Sequence, residues 1–214
     1  MTARLYLGTA RYSSWSMRGW LLVRLAGLAA ETLFRPLGEA KSVSPSGLVP
    51  YLEHEGARVW ESLAIAEYCA DLNPALWPAS RPAKAWARSI AAEMHAGFRG
   101  LRQAMPMNLG RPDYAGLGQT PESLADLARI EEIWTETRAG FGAGGPFLFG
   151  AAFNAADAMY APVVARLLTY APPLSAASRE YCAAVRAHPL VAEWYEFAAK
   201  EPSSWRMEKF ECLA

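Results

Sequence analysis

The chain has 214 residues, 52% of them hydrophobic, with 21 basic and 21 acidic side chains that cancel to a net charge of zero. That length and apolar content suit one large or two small globular domains. Zero net charge without a Lys/Arg run removes any general pull toward nucleic acid or an anionic membrane. The three cysteines, Cys69, Cys182 and Cys212, form no CxxC pair and no His/Cys ligand spacing, so neither a disulfide framework nor a metal site is expected.

The first residues, MTARLYLGTARYSSW, lack the basic flank and long apolar stretch of a signal peptide. No run reaches the ~18 apolar residues of a membrane span, so a cytoplasmic protein is expected. Arg4 to Gly8 reads as a short strand, followed by a polar loop from Thr9 to Ser16. Leu21, Leu22, Leu25 and Leu28 then recur at helical spacing, with Gly27 as a stop and a helix start placed near Met17. Thr32 to Leu37 is a second strand, with Pro36 marking an edge or strand end. Two further strands, Tyr51 to Glu53 and Arg58 to Trp60, flank the turn His54-Glu55-Gly56-Ala57. After them Ile65, Tyr68, Cys69 and Leu72 share one face of a helix. The order strand, helix, strand, hairpin, helix predicts a mixed sheet with flanking helices.

From Asn73 the character changes. NPALWPASRP carries three prolines in ten residues and reads as a linker, placed at 76–81 between domains spanning 1–75 and 82–214. Everything beyond it reads as helical. One long helix is expected from about Pro82 through Met94, Phe98 and Leu101 toward Met105. Thr120 caps the next helix, with Pro121 at its first position and Leu127, Ile130, Trp134 and Phe141 as its apolar stripe. Asn154 and Asp157 form an N-x-x-D start signal for another helix, which contains Pro162. Two more helices cover about Ala176 to Ala187 and Val191 to Lys200.

The most informative stretch is Leu48-Val49-Pro50-Tyr51-Leu52 followed by Glu61-Ser62-Leu63-Ala64-Ile65. A proline at a strand entrance donates no ladder hydrogen bond. A cis bond there turns the preceding backbone outward toward an extended ligand. Glu61-Ser62 falls where a strand gives way to a helix, and free N–H groups with a Ser hydroxyl suit a carboxylate. Glu61 suits the ammonium group of the same ligand.

This pairing of VPYL with ESLAIAEY resembles the thioredoxin-like domain of cytosolic glutathione transferases, and AADAMYAPV after Asn154 is similar to that family's second-domain helix start. The resemblance covers nearly the whole chain. It implies an α/β thioredoxin-like N-terminal domain (βαβ-ββα) and an all-α C-terminal domain. It also implies glutathione as co-substrate, no metal, and a homodimer. Val49 and Pro50 would meet the cysteinyl unit of glutathione, while Glu61 and Ser62 would hold its γ-glutamyl end. Tyr12-Ser13-Ser14-Trp15-Ser16-Met17-Arg18 resembles the serine stretch of the zeta class, which includes maleylacetoacetate isomerases. That places catalysis on Ser13, with Ser14 as the second candidate. Lowering a thiol pKa from about 8.5 by roughly two units needs about 2.7 kcal/mol. A hydroxyl donating to a thiolate contributes about 1.5–3 kcal/mol, and a helix N-terminus about 0.3–1 kcal/mol.

Where that class has a cysteine this chain has Trp15, so mixed-disulfide chemistry is not expected. Leu48, Gly47 and Thr169 also depart from it, which argues against maleylacetoacetate isomerase activity in particular. The implied reaction is conjugation of glutathione to a small hydrophobic electrophile. The alternatives are a non-catalytic glutathione-binding protein and a glutathione-dependent isomerase. Trp15, His95, Arg99 and Arg102 are candidates for the electrophile side, with a solvated or inter-domain face as the alternative for the last three. A plain helix cap is the alternative for Ser13, Ser14 and Ser16, and a surface role, over a contact to the glycyl carboxylate of glutathione, is expected for Lys41.

Overall fold

A computed structural model describes residues 3–212, without the side chains of Ala40 and Lys41, so the expectation for Lys41 lies outside the described residues. Four strands form a mixed sheet in the order β2-β1-β3-β4, with β1 Ala3–Leu7, β2 Ala30–Phe34, β3 Tyr51–His54 and β4 Ala57–Trp60. β1 runs parallel to β2 and antiparallel to β3. Helices α1 (Ser14–Leu25) and α2 (Ser62–Leu72) accompany the sheet. The rest is helical: α3 Arg81–Ala96, α4 Arg99–Ala104, α5 Pro121–Phe141, α6 Ala155–Tyr170, α7 Ala176–Ala187, α8 Pro189–Lys200 and the short α9 Glu208–Glu211. This is the thioredoxin-like α/β domain followed by an all-α domain that the sequence implied. No helix among the described residues is long and apolar enough to cross a membrane.

Three expectations need correction. β2 begins two residues before the predicted Thr32 and stops short of Pro36. All five residues of β1 pair with Ala30–Phe34, Arg35 N closes the ladder onto Leu7 O at 2.9 Å, and a 3-10 turn begins at Leu37. α1 starts at Ser14 rather than near Met17, because Ser13 supplies the N-cap: its Oγ accepts from Ser16 N at 3.2 Å. The single long helix expected up to Met105 is broken into α3 and α4 at Gly97 and Phe98, the latter in left-handed conformation with φ of 59°. Arg102 stabilises the break. Its guanidinium donates to the carbonyls of Gly97 (3.0 Å), Met94 and His95, three acceptors that the end of α3 leaves unpaired.

Capping proceeds as predicted elsewhere. Thr120 caps α5, and Asn154 with Asp157 forms a reciprocal capping box on α6. α6 runs unbroken through Pro162 and is buried along almost its whole length. Tyr160, on α6, is buried and donates to Ile90 O at 3.1 Å, tying α6 to α3. An aromatic cluster of Trp20, Phe34, Trp194 and Phe197 joins α1 and β2 to α8, so the helical domain grips the sheet domain close to the end of β1.

Candidate functional site

The loop after β1 is held mainly by its backbone. Glu201 accepts from the N–H groups of Ala10 and Arg11 (the latter 3.2 Å), Trp194 Nε1 donates to Ala10 O at 3.1 Å, and Leu109 N donates to Arg11 O at 3.1 Å. With both sides of its main chain tied to the helical domain, the loop delivers Ser13 and Ser14 to a fixed place. Both serines are buried. Ser13 Oγ donates to Ser16 Oγ at 2.8 Å, and Ser16 in turn accepts from Gly8 N at 2.9 Å. Ser16 therefore braces the end of β1, while Ser13 stands at the N-terminus of α1. Ser14 Oγ accepts from Arg166 Nη2 at 3.3 Å, and its own proton has no acceptor among the described residues.

The Val49–Pro50 bond is cis. The turn is packed from below: a Cβ added to Gly19 of α1 would stand 2.6 Å from Pro50 Cβ. No hydrogen bond among the described residues engages the Val49 N–H or C=O, so this backbone stands open to an extended partner. Val49 and Ser13 meet at Gly8, where an added Cβ would lie 3.3 Å from the Val49 side chain and 3.4 Å from Ser13 Cβ. Two segments far apart in sequence thus face one point at the end of β1.

Glu61 precedes α2 with φ of 69° and ψ of 128°, a conformation that costs a non-glycine residue about 1–3 kcal/mol, and its side chain makes no capping bond. Ser62 follows, fully buried, with an Oγ that has no partner among the described residues. At a helix N-terminus, where the first N–H groups are also unpaired, this is an arrangement for an acceptor with negative charge. Glu61 Oε2 lies 3.8 Å from His95 Nε2. Burial, with Arg18 and Arg102 nearby, holds the His95 pKa below its usual range despite Glu61, so near neutral pH the contact is a polar one rather than an ion pair.

His95 packs edge-on against Trp15 with centroids 5.1 Å apart, and the guanidinium groups of Arg102 (4.7 Å) and Arg18 (5.0 Å) lie over the Trp15 ring. A cavity of about 220 Å³ opens here, lined by Ser13, Ser14, Trp15, Arg102, Met107 and Arg166 among others. Its rim is closed by the C-terminal segment. Tyr12 donates to Glu211, Phe210 packs on Tyr12 at 5.0 Å, and Asn108 and Tyr114 each hold Phe210 O at 2.8 Å. Burial and the Glu211 bond push the Tyr12 phenol up to about 12, leaving it protonated.

The structure thus brings Ser13, Ser14, Val49, Pro50 and Trp15 together, reaches Glu61 and Ser62 through His95, and adds Arg102. Arg99 is exposed and makes none of these contacts. Sequence reasoning did not include Arg18 and Arg166 among the site residues. One signal for Arg166 was available: it is the lone charge in the apolar run AMYAPVVARLLTY, where an arginine must find acceptors inside the fold. Tyr12 and Glu211 carried no such signal, because their pairing spans almost the whole chain. Among the described residues no group of His, Cys, Asp and Glu is arranged to hold a metal ion.

Two family profiles match the chain: the glutathione S-transferase N-terminal domain over residues 12–72 and the glutathione S-transferase C-terminal domain over residues 84–197. No curated protein sequence matches it. Among solved structures, a glutathione transferase homolog from Burkholderia strain BGR1, determined with bound glutathione, is similar with a TM-score of 0.73 and 22% identity, over 94% of this chain and 100% of that one. A diazinon-metabolizing glutathione S-transferase of the silkworm Bombyx mori is similar with a TM-score of 0.71 and 15% identity, over 94% of this chain and 98% of that one. The theta class enzyme of Xanthomonas axonopodis pv. citri, also with glutathione bound, has a TM-score of 0.64 and 20% identity, over 94% and 98%.

Proposed function

The chain belongs to the glutathione S-transferase family, and from that premise we propose that it binds glutathione along Val49, Pro50, Glu61 and Ser62 and conjugates its sulfur to a small electrophile. The observation that carries this reading is the buried, unpartnered Ser62 hydroxyl at the start of α2. Beside it are free helix N–H groups for a carboxylate and Glu61 for an ammonium group. These are the charged ends of a γ-glutamyl unit. The open main chain of Val49 supports an extended peptide in between, leading the sulfur to the point near Gly8 that Ser13 faces. We place the division between the two domains at residues 76–81, in the stretch that separates the two matched regions.

Ser13 then acts by donating a hydrogen bond from its hydroxyl to the thiolate, the thiol proton having passed to solvent. Its bond to Ser16 is no obstacle, since a hydroxyl turns without moving its oxygen and Ser16 keeps the Gly8 N–H. Arg166 polarises Ser14 as a second donor. The thiolate attacks an electrophilic carbon of a substrate lying against Trp15 and α4, forming a carbon–sulfur bond as the leaving group departs with its electron pair. A cytoplasmic homodimer is the setting proposed for this activity.

The engagement of Ser13 with Ser16 also favours one rival, a protein that holds glutathione without activating it. The two separate on the ultraviolet titration of enzyme-bound glutathione. In the conjugating enzyme the bound thiol ionises well below its free value, and Ser13→Ala raises it by about one to two pKa units. A rise in Ser14→Ala instead moves the role to Ser14. Tight binding with an unshifted thiol establishes the rival.

A further inference from the structure

We propose that the substrate side of this cleft takes an electrophile bearing a carboxylate; the proposal rests on the glutathione orientation given above. Three guanidinium groups gather near the cavity, two of them in its lining. Arg102 and Arg166 line it. Arg18 stands against Trp15, is 0% exposed, and has both terminal nitrogens without a partner among the described residues.

Their acceptors are uncharged throughout. Arg18 donates to Met159 O (2.7 Å), Arg166 to Met105 O (2.9 Å), Pro162 O (3.0 Å) and Ser14 Oγ (3.3 Å), and Arg102 to carbonyls at the end of α3. No carboxylate bonds any of the three among the described residues. Carbonyls orient a guanidinium without neutralising it, and like charges gathered out of water raise one another's cost. Two of the groups respond in keeping with this: burial first, then repulsion from the neighbouring arginines, lowers the Arg18 pKa well below its usual range and brings Arg166 to about 9, whereas Arg102 is lowered by burial alone and the nearby Asp126 carboxylate, which does not bond it, partly offsets that.

The thiolate of glutathione offsets at most one of three charges, its γ-glutamyl carboxylate is assigned to Ser62, and its glycyl carboxylate is common to every conjugate compared below. The remaining positive field falls on whatever shares the cavity with the sulfur. An arginine fork matches a carboxylate in geometry as well as charge. At about 220 Å³ the cavity is below the roughly 300–1,000 Å³ of pockets for drug-sized ligands, so the acid is compact. Trp15 and Met107 offer apolar surface for its carbon frame.

Calorimetry on the purified full chain with three conjugates tests this: S-benzylglutathione, S-(p-carboxybenzyl)glutathione and the neutral isostere S-(p-carbamoylbenzyl)glutathione. All carry the same glutathione anchor, so differences report on the arginine side alone. The carboxylate is expected to bind at least about tenfold tighter than the carboxamide, or about 1.4 kcal/mol. Arg102→Gln should bring the two together, and Arg102→Lys should retain part of the preference. Equal affinities in the wild type, or a preference that survives Arg102→Gln, overturn the inference and leave the glutathione reading standing. Failure of all three conjugates to bind removes the glutathione reading itself. Should Arg102→Gln not fold for want of its contacts to α3, the wild-type pair still decides.

Discussion

The starts of α2 and α6 pose the same physical problem and solve it in opposite ways. Each places a fully buried polar side chain in the first helical turn, Ser62 in α2 and Asp157 in α6. Asp157 is saturated: it accepts from Leu148 N (3.1 Å), Asn154 N (3.0 Å) and the Tyr181 hydroxyl (3.0 Å), while Asn154 caps Ala156 N at 2.9 Å. Ser62 has no partner among the described residues, and the Glu61 before it is held at positive φ without a capping bond. A helix start that satisfies itself stabilises the fold. One that leaves donors unpaired forgoes that stabilisation and keeps them for a charged guest, the role proposed for Ser62.

The largest effect expected from this contrast is at α6. Asp157→Ala orphans three buried donors, and at about 1–3 kcal/mol each the loss should be on the order of 3 kcal/mol or more in denaturant unfolding. A loss of a few tenths would mean that the capping box is not what holds α6. Titration sharpens the point. Burial outweighs the donors and raises the Asp157 carboxyl from its ordinary 3.8 to about 6. Protonation therefore favours the folded chain: the contribution is full below about pH 4 and is lost as pH rises through about 6. Relative to Asp157→Asn, which mimics the neutral acid, the wild type should gain stability on acidification across that window, by up to about 1.4 kcal/mol per pH unit.

At α2 the expected signature is inverted. Ser62→Ala should leave the melting temperature almost unchanged, since no bond within the protein is broken, yet weaken glutathione by roughly 10- to 100-fold, the range for a hydrogen bond to a charged group. A variant that lost stability while keeping its affinity would reverse the comparison. The smallest effect concerns Glu61. Glu61→Gly relieves the positive φ and should stabilise the chain by about 1 kcal/mol or less in thermal unfolding, while glutathione binding drops as the ammonium partner is removed. Stability unchanged or lowered would show that this backbone is not strained.

These contrasts bear on how much could be read before folding. The caps at Thr120 and Asn154 were legible because capping is local: the hydroxyl, amide or carboxylate and its N–H partner lie within three residues. The Val49-Pro50 turn and the Glu61-Ser62 helix start were legible for the same reason. The break at Phe98 was not, because periodicity continued through it, and its cause is the reach of the Arg102 guanidinium back to three carbonyls of the preceding turn. The end of β2 was misplaced because strand length is set by the partner: β1 has five residues to pair, and pairing stopped there.

By itself the order of short-range signals determined the two-domain architecture and the capped starts of α5 and α6, since each depends on neighbours a few residues apart. Only the tertiary structure decided what surrounds Ser13. Ser13 meets Val49 because both adjoin Gly8 at the end of β1, while Arg102 from α4 and Arg166 from α6 reach the cavity that Trp15 of α1 lines, with Arg18 against the Trp15 ring. Such charge clusters arise from packing between segments far apart in sequence, and no periodicity along the chain records them.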